Sequence, residues 1–176
     1  MVPRGQARSA VGREDESPDT KNSGQASMRL VVHGPGARAL RLGLGPDLRP
    51  VQAIRQLQHL MNGNAFWARE RPLNDLRCMV KNSAVCVTAW QSTTLVGFGR
   101  ATSDGIYRAT IWDLVVDSKV AGRGLGRAVV ERLMESRALT TCERIYLMTT
   151  NSAGFYKKMG FEINQSQVLM MKEKSG

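Results

Sequence analysis

Hydrophobic spacing along the chain changes several times, and each change marks a predicted element. Residues 1–27 hold few large apolar groups among Gly, Ser, Gln and charge, and read as a flexible leader. Arg29-Leu30-Val31-Val32 predicts a short strand closed by the Gly34-Pro35-Gly36 turn. Leu40, Leu42 and Leu44 alternate within 38–44, which predicts another strand, ended by Gly45-Pro46. From Leu48 the period turns helical: Val51, Ile54, Leu57, Leu60 and Met61 form a stripe that Asn62-Gly63-Asn64 stops. Pro72 then suits the start of a second helix through Leu73, Leu76, Met79 and Val80.

Three strands follow at 84–90, 94–102 and 108–116, with Asp104-Gly105 as a hairpin signal between the last two. A glycine-rich turn, Gly122-Arg123-Gly124-Leu125-Gly126, opens a helix through Arg137 whose inner face includes Val129, Val130, Leu133 and Met134. A strand at 144–149, a short helix at 152–159 ended by Gly160, and a hairpin of 161–163 with 167–171 close the pattern. This order predicts an α/β fold of mixed α+β type, with a mostly antiparallel sheet flanked by helices. The leader is 1–27 and one domain occupies 28–176.

Composition narrows the class. With 176 residues, 42% apolar and 23% charged, the chain can build one substantial core. The net charge of +10 lies beyond the leader, where four cations meet four acids. Such a field concentrates anionic partners. No zinc module, ribonucleoprotein motif or dense basic helix accompanies it, so a nucleic-acid partner is not expected. Cys78, Cys86 and Cys142 are odd in number and widely spaced, which suits a reducing compartment, structural roles and no metal site. No apolar run approaches membrane-spanning length, and no membrane partner is expected.

The stretch from Trp112 to Val130 carries the chemistry. It reads as strand, tight turn and helix. Glycines at 122, 124 and 126 let the backbone turn sharply and leave its amides uncovered, at a helix start where N–H groups lack intrahelical acceptors. A pyrophosphate suits such a turn, and Arg123 and Arg127 could add charge-assisted bonds. The alternative is a plain tight connection. A Walker A motif is excluded because Arg127-Ala128 stands where Lys-Ser/Thr is needed. A dinucleotide fold is excluded because the glycines follow several antiparallel strands rather than the first strand–helix unit.

Val115-Val116 followed by Gly122-x-Gly124-x-Gly126 resembles the acetyl-coenzyme A-binding segment of the GNAT N-acetyltransferase superfamily. The later run Asn151-Ser152-Ala153-Gly154-Phe155-Tyr156-Lys157-Lys158-Met159-Gly160-Phe161 resembles its partner motif. Residues 64–71, 101–113 and 146–150 are similar to the cyanobacterial and plastid branch, which includes serotonin (arylalkylamine) N-acetyltransferases and protein-lysine acetyltransferases. The resemblance implies a GNAT fold splayed at the cofactor site, acetyl-CoA as donor and CoA as product. It implies a small aromatic amine or a protein lysine as acceptor, a homodimer, and a bacterial cytoplasmic or plastid location. One departure is Ala121, where the family usually has Gln or Arg; a side chain near the phosphates is lost, but no amide. A non-catalytic acyl-CoA-binding regulator is the alternative of a different class.

The resemblance also implies roles. Main chain at Leu114, Val115 and Val116 would pair with the pantetheine arm. Ala121, Gly122, Arg123, Gly124, Leu125, Gly126 and Arg127 would hold the pyrophosphate. Asn151 would bond pantetheine amides or cap the following helix, and Phe155 would line the acyl channel. Tyr156 is the candidate general acid, with core packing as its alternative. Asp113 is the candidate base or water-orienting acceptor, with a substrate anchor or buried structural partner as its alternatives. Trp67, Tyr107, Trp112 and Met148 are candidates for the acceptor pocket or for core.

Overall fold

The computed structural model describes residues 27–173. Five strands form one sheet in chain order: β1 (Met28–His33), β2 (Val85–Gln91), β3 (Thr94–Ser103), β4 (Arg108–Val116) and β5 (Arg144–Leu147). Neighbours are antiparallel from β1 to β4, whereas β5 runs parallel to β4. A parallel neighbour needs a crossover. Here it contains helices α4 (Leu125–Met134) and α5 (Arg137–Thr140), numbered after α1 (Arg38–Arg41), α2 (Ala53–Asn64) and α3 (Leu73–Lys81); α6 (Ala153–Lys157) follows β5.

Alternation along β2 separates the two cores. Cys86 and Trp90 join the cluster beneath α1, α2 and α3, while Val85, Val87 and Ala89 join the cluster beneath α4 and α5. With both faces covered, six successive β2 residues are buried. The helical stripe of α2 works as its spacing predicts: Ile54, Leu57, Leu60 and Met61 are each at most 2% exposed. On the other face, α4 crosses β3 at Gly99. A Cβ there would stand 2.8 Å from a Val129 methyl and 3.2 Å from a Leu133 methyl, so only glycine admits so close a helix.

Several predicted elements need correction. Residues 38–41 form α1 and 42–43 a turn rather than a strand, because Gly43 at φ 82 ends a helical turn, with Leu44 N–H bonding back to the Ala39 carbonyl. Leu40 is buried but Leu42 is 65% exposed, so the alternating leucines do not share a face of a sheet. The helix expected through Arg137 stops at Met134. Ser136 adopts extended backbone and its hydroxyl donates to the Leu133 carbonyl, after which α5 begins. The closing hairpin of 161–163 with 167–171 is absent among the described residues. Val168, Leu169, Met170 and Met171 are 72–89% exposed; strand propensity without a pairing edge makes no ladder.

Three buried polar groups lie inside the α1–α3 side of the fold. The Thr88 hydroxyl accepts from Trp90 Nε1 at 2.8 Å and lies 2.9 Å from His33 Nε2. Burial lowers the His33 pKa from 6.5 to about 4. Unfolded chains therefore bind a proton that the native state refuses between those values, so stability is complete above pH 6.5 and is lost as pH falls toward 4. Urea unfolding across this window should show a loss on the order of 3 kcal/mol relative to a His33→Gln variant. Parallel pH curves for the two proteins would contradict the assignment.

Candidate functional site at the parting of β4 and β5

β4 and β5 pair from Arg108↔Arg144 to Ile111↔Leu147, and there β5 ends. From Trp112 onward β4 is bonded on its β3 side alone, with Val115 opposite Phe98 and Val116 opposite Gly97. The other edge of Leu114, Val115 and Val116 offers unpaired main-chain groups, a template for an extended ligand.

The register breaks just before that edge. Arg100 faces Trp112 and Phe98 faces Val115, so Gly99 stands opposite both Asp113 and Leu114. Asp113 takes φ 52, a left-handed conformation that a non-glycine residue adopts at a cost. This bulge turns Trp112 and Asp113 to the same face. Trp112 Nε1 donates to Thr102 Oγ1 at 2.9 Å, with the Arg100 guanidinium 5.9 Å from the ring centroid. The Asp113 side chain, 6% exposed, pairs with Arg100 Nε at 2.7 Å and Arg71 Nη1 at 3.3 Å.

Beyond β4 comes the glycine turn. Gly122 and Gly124 both have φ 78, and a Cβ at either would meet nothing within 4 Å. The glycines are thus required by conformation and leave open space. Amides of residues 122–127 have no hydrogen-bond acceptor among the described residues, and α4 has no side-chain cap. The result is a run of free donors at a helix start, chemically suited to an anion such as a pyrophosphate. Arg123 and Arg127 are exposed beside it, Arg127 bonded to Glu131 at 2.7 Å; Ala121 is exposed and Leu125 is buried.

α6 closes this end of the sheet. A Cβ on Gly126 would lie 3.6 Å from both the Phe155 ring and a Val116 methyl, which brings the turn, the β4 edge and α6 together. Tyr156 packs edge-to-face on Phe155 and Phe161, at 4.9 and 5.9 Å. Burial pushes its phenol above the ordinary value of 10, and no hydrogen bond to the hydroxyl offsets it among the described residues. Asn151 is exposed just after β5 and accepts from Ser152 Oγ at 3.2 Å; Ser152, not Asn151, occupies the α6 N-cap position.

The α2–α3 connection forms the other wall. Asn64 Oδ1 accepts from Ser118 N–H at 3.0 Å, and Arg71 reaches Asp113, so residues 65–70 are strapped at one end to β4 and at the other to the segment just after it. This strap carries Phe66 and Trp67, edge-to-face at 5.1 Å and 64% and 49% exposed. Trp67 and Trp112 thus belong to the same side of the site, and exposed Met148 follows the end of β5. Tyr107 stands apart, in the β3–β4 hairpin at the opposite end of β4, where its carbonyl accepts from Arg144 N–H. A groove of about 660 Å³ along α2, with Arg55, His59 and Lys119 in its lining, contains none of the predicted site residues.

Arg71, Arg100 and Asn64 border the candidate site without any role that the sequence assigns them. Arg100 had a signal: a lone cation inside the apolar run Leu95 to Ala101, one strand away from Asp113. Arg71 and Asn64 lie in a connection whose folding back onto β4 has no local signature.

A parallel pair that separates beside a donor-lined turn is an arrangement able to hold an extended, pyrophosphate-bearing ligand. The sequence model of the Acetyltransferase (GNAT) family matches residues 52–161, and the chain belongs to that family. The chain is 37% identical over 100 residues to the uncharacterized N-acetyltransferase ycf52 of Pyropia yezoensis, covering 54% of this chain and 57% of that protein. It is 34% identical over 108 residues to histone acetyltransferase TAP1 of Glycine max, covering 54% and 46%. With the chloroplastic serotonin N-acetyltransferase 2 of Oryza sativa subsp. japonica the identity is 38% over 74 residues, covering 42% and 37%. The matched region spans about half the length or less of these relatives. A GNAT-family acetyltransferase structure from Streptococcus pneumoniae shares the fold at TM-score 0.61 and 17% identity, covering 84% of this chain and 100% of that one.

The Asp113 cluster sets a stability test. Replacing Asp113 by Asn removes the charge shared by two guanidiniums, one of them 16% exposed, and should cost roughly 2–4 kcal/mol in urea unfolding at pH 7. A cost below about 0.5 kcal/mol would mean that the cluster contributes no more than a surface pair.

Proposed function

We propose that the chain transfers acetyl from acetyl-CoA to the primary amine of a small aromatic molecule, with an arylalkylamine such as serotonin as the model acceptor. The observation that carries this reading is the meeting of an unpaired β4 edge with a run of free amides at the α4 start. Leu114, Val115 and Val116 present the edge that would hold the pantetheine arm. The amides of residues 122–127 would hold the pyrophosphate, with Arg123 and Arg127 beside them. Asn151 stands where β5 has ended and its side-chain amide is available to the arm. These residues fit the donor, which supplies an acetyl thioester.

On the acceptor side, the Phe66–Trp67 pair offers an apolar shelf for an aromatic ring. The amine nitrogen attacks the thioester carbonyl in a ternary complex and loses its proton to water. As the carbon–sulfur bond breaks, Tyr156 gives its phenolic proton to the sulfur and recovers it from solvent. A phenol kept protonated by burial and free of other partners suits that role. Asp113 is better suited to anchoring than to accepting a proton, because protonation would dissolve both of its ion pairs. Its task is to hold Arg100 and Arg71 in place at the bulge.

A protein lysine is the second reading, favoured by the openness of the shelf; a long side chain could cross it without an enclosing pocket. The relatives named histone acetyltransferase and serotonin N-acetyltransferase support one acceptor each. A plastid or bacterial cytoplasm is the proposed location, supported by relatives whose names include chloroplastic.

Two variants test the reading. Tyr156→Phe should lower kcat about 10-fold or more in a free-thiol assay with acetyl-CoA and serotonin; an unchanged kcat in the folded variant removes Tyr156 from proton transfer. Gly124→Ala forces a side chain to φ 78 and should weaken acetyl-CoA binding about 5- to 30-fold through roughly 1–2 kcal/mol of strain. Unaltered affinity by calorimetry would place the pyrophosphate elsewhere.

A further inference from the structure

We infer that Arg71 determines acceptor specificity and that the preferred acceptor is a primary amine carrying an oxyanion, carboxylate or phosphate, close to the amino group. The inference rests on the acetyl-transfer reading and departs from its model acceptor: serotonin bears no carboxylate or phosphate, so an oxyanion-bearing amine should outrank it.

Charge at the bulge is the starting point. Arg100 and Arg71 face a single carboxylate, Asp113, so this cluster holds one net positive charge. On the strap, Arg69 and Glu70 cancel. Asp113 takes one N–H from each guanidinium, through Arg100 Nε and Arg71 Nη1. Arg71 has one further contact, Met79 Sδ at 3.5 Å, and Arg100 lies over Trp112. No buried side-chain nitrogen lacks a partner among the described residues, so the spare guanidinium N–H groups face accessible space. Arg71 is the more open of the two, at 33% side-chain exposure against 16%, and its bond to Asp113 is the longer.

The position of this charge decides its use. Asp113 immediately precedes the free edge of β4, so the cluster borders the place where the thioester carbonyl would lie. A bare ammonium is repelled there, whereas an amine that also carries an oxyanion can place that group on the guanidinium fork. The same positive field favours the neutral amine, which is the form that attacks a carbonyl. Selection and activation then share one cause, and neither needs a carboxylate base.

Matched acceptors test this on the full chain. Thiol release from acetyl-CoA is compared for tryptophan against tryptamine and for phosphoethanolamine against ethanolamine, which separates carboxylate from phosphate recognition. At least one oxyanion-bearing member should exceed its partner about tenfold in kcat/KM. Arg71→Gln should collapse that ratio, mainly through a raised KM for the oxyanion-bearing amine, and Arg71→Lys should restore part of it. Ratios near one or inverted in the parent, or a preference that Arg71→Gln leaves intact, overturn the inference. If Arg71→Gln fails to fold, Arg71→Lys makes the comparison, because a point charge should reduce the preference that a fork supports. Absence of thiol release with every amine counts against the transfer reading. Calorimetric binding of tryptophan and phosphoethanolamine to the CoA-saturated chain then decides separately: binding weakened by the Arg71 variant supports the inference, and no binding of either overturns it.

Discussion

The fold depends for its use on one constraint: β4 must lose its partner on one side while keeping it on the other. Pairing with β5 ends at Ile111↔Leu147, yet β3 holds β4 through Val116. A strand fixed along one edge and free along the other is rigid enough to position a ligand and unsatisfied enough to bind it. The bulge at Asp113 falls at this transition. Gly99 stands opposite it, where α4 packs too closely for a Cβ, so the helix that starts at the glycine turn and the strand that offers the edge meet at the same residue.

The two walls then follow from short connections. On one side, the glycine turn leads from β4 into α4 and meets Phe155 of α6 across Gly126. On the other, the strap between α2 and α3 is tied down by Asn64 at Ser118 and by Arg71 at Asp113. Asp113 links the sheet, the strap and the cation on β3, and its near-complete burial makes it a charge that the surrounding guanidiniums must balance. The strap and the glycine turn with its helix therefore lie toward opposite faces of one strand.

Much of this was legible in the sequence where local spacing carries the signal. The α2 stripe, the strand at 108–116 and the glycine turn follow from periodicity and backbone freedom, and the two motifs flanking the site gave the family resemblance. Residues 38–44 misled because alternating leucines fit a strand, while the decisive fact is a left-handed Gly43 that ends a helical turn. Residues 167–171 misled because propensity says nothing of an available edge. Tyr107 is a pocket candidate in the sequence, whereas register puts it at the far end of β4. Arg71 escaped notice because its partner is 42 positions away, a distance that no local pattern spans.

The central claim is that the freed β4 edge and the amides after it form one donor site. Amide hydrogen exchange of the full chain, with and without acetyl-CoA, measures it most directly. Protection should rise together at residues 114–116 and 122–127, with little change along β1 and β2. Tight acetyl-CoA binding that left both segments exchanging as before would contradict the account.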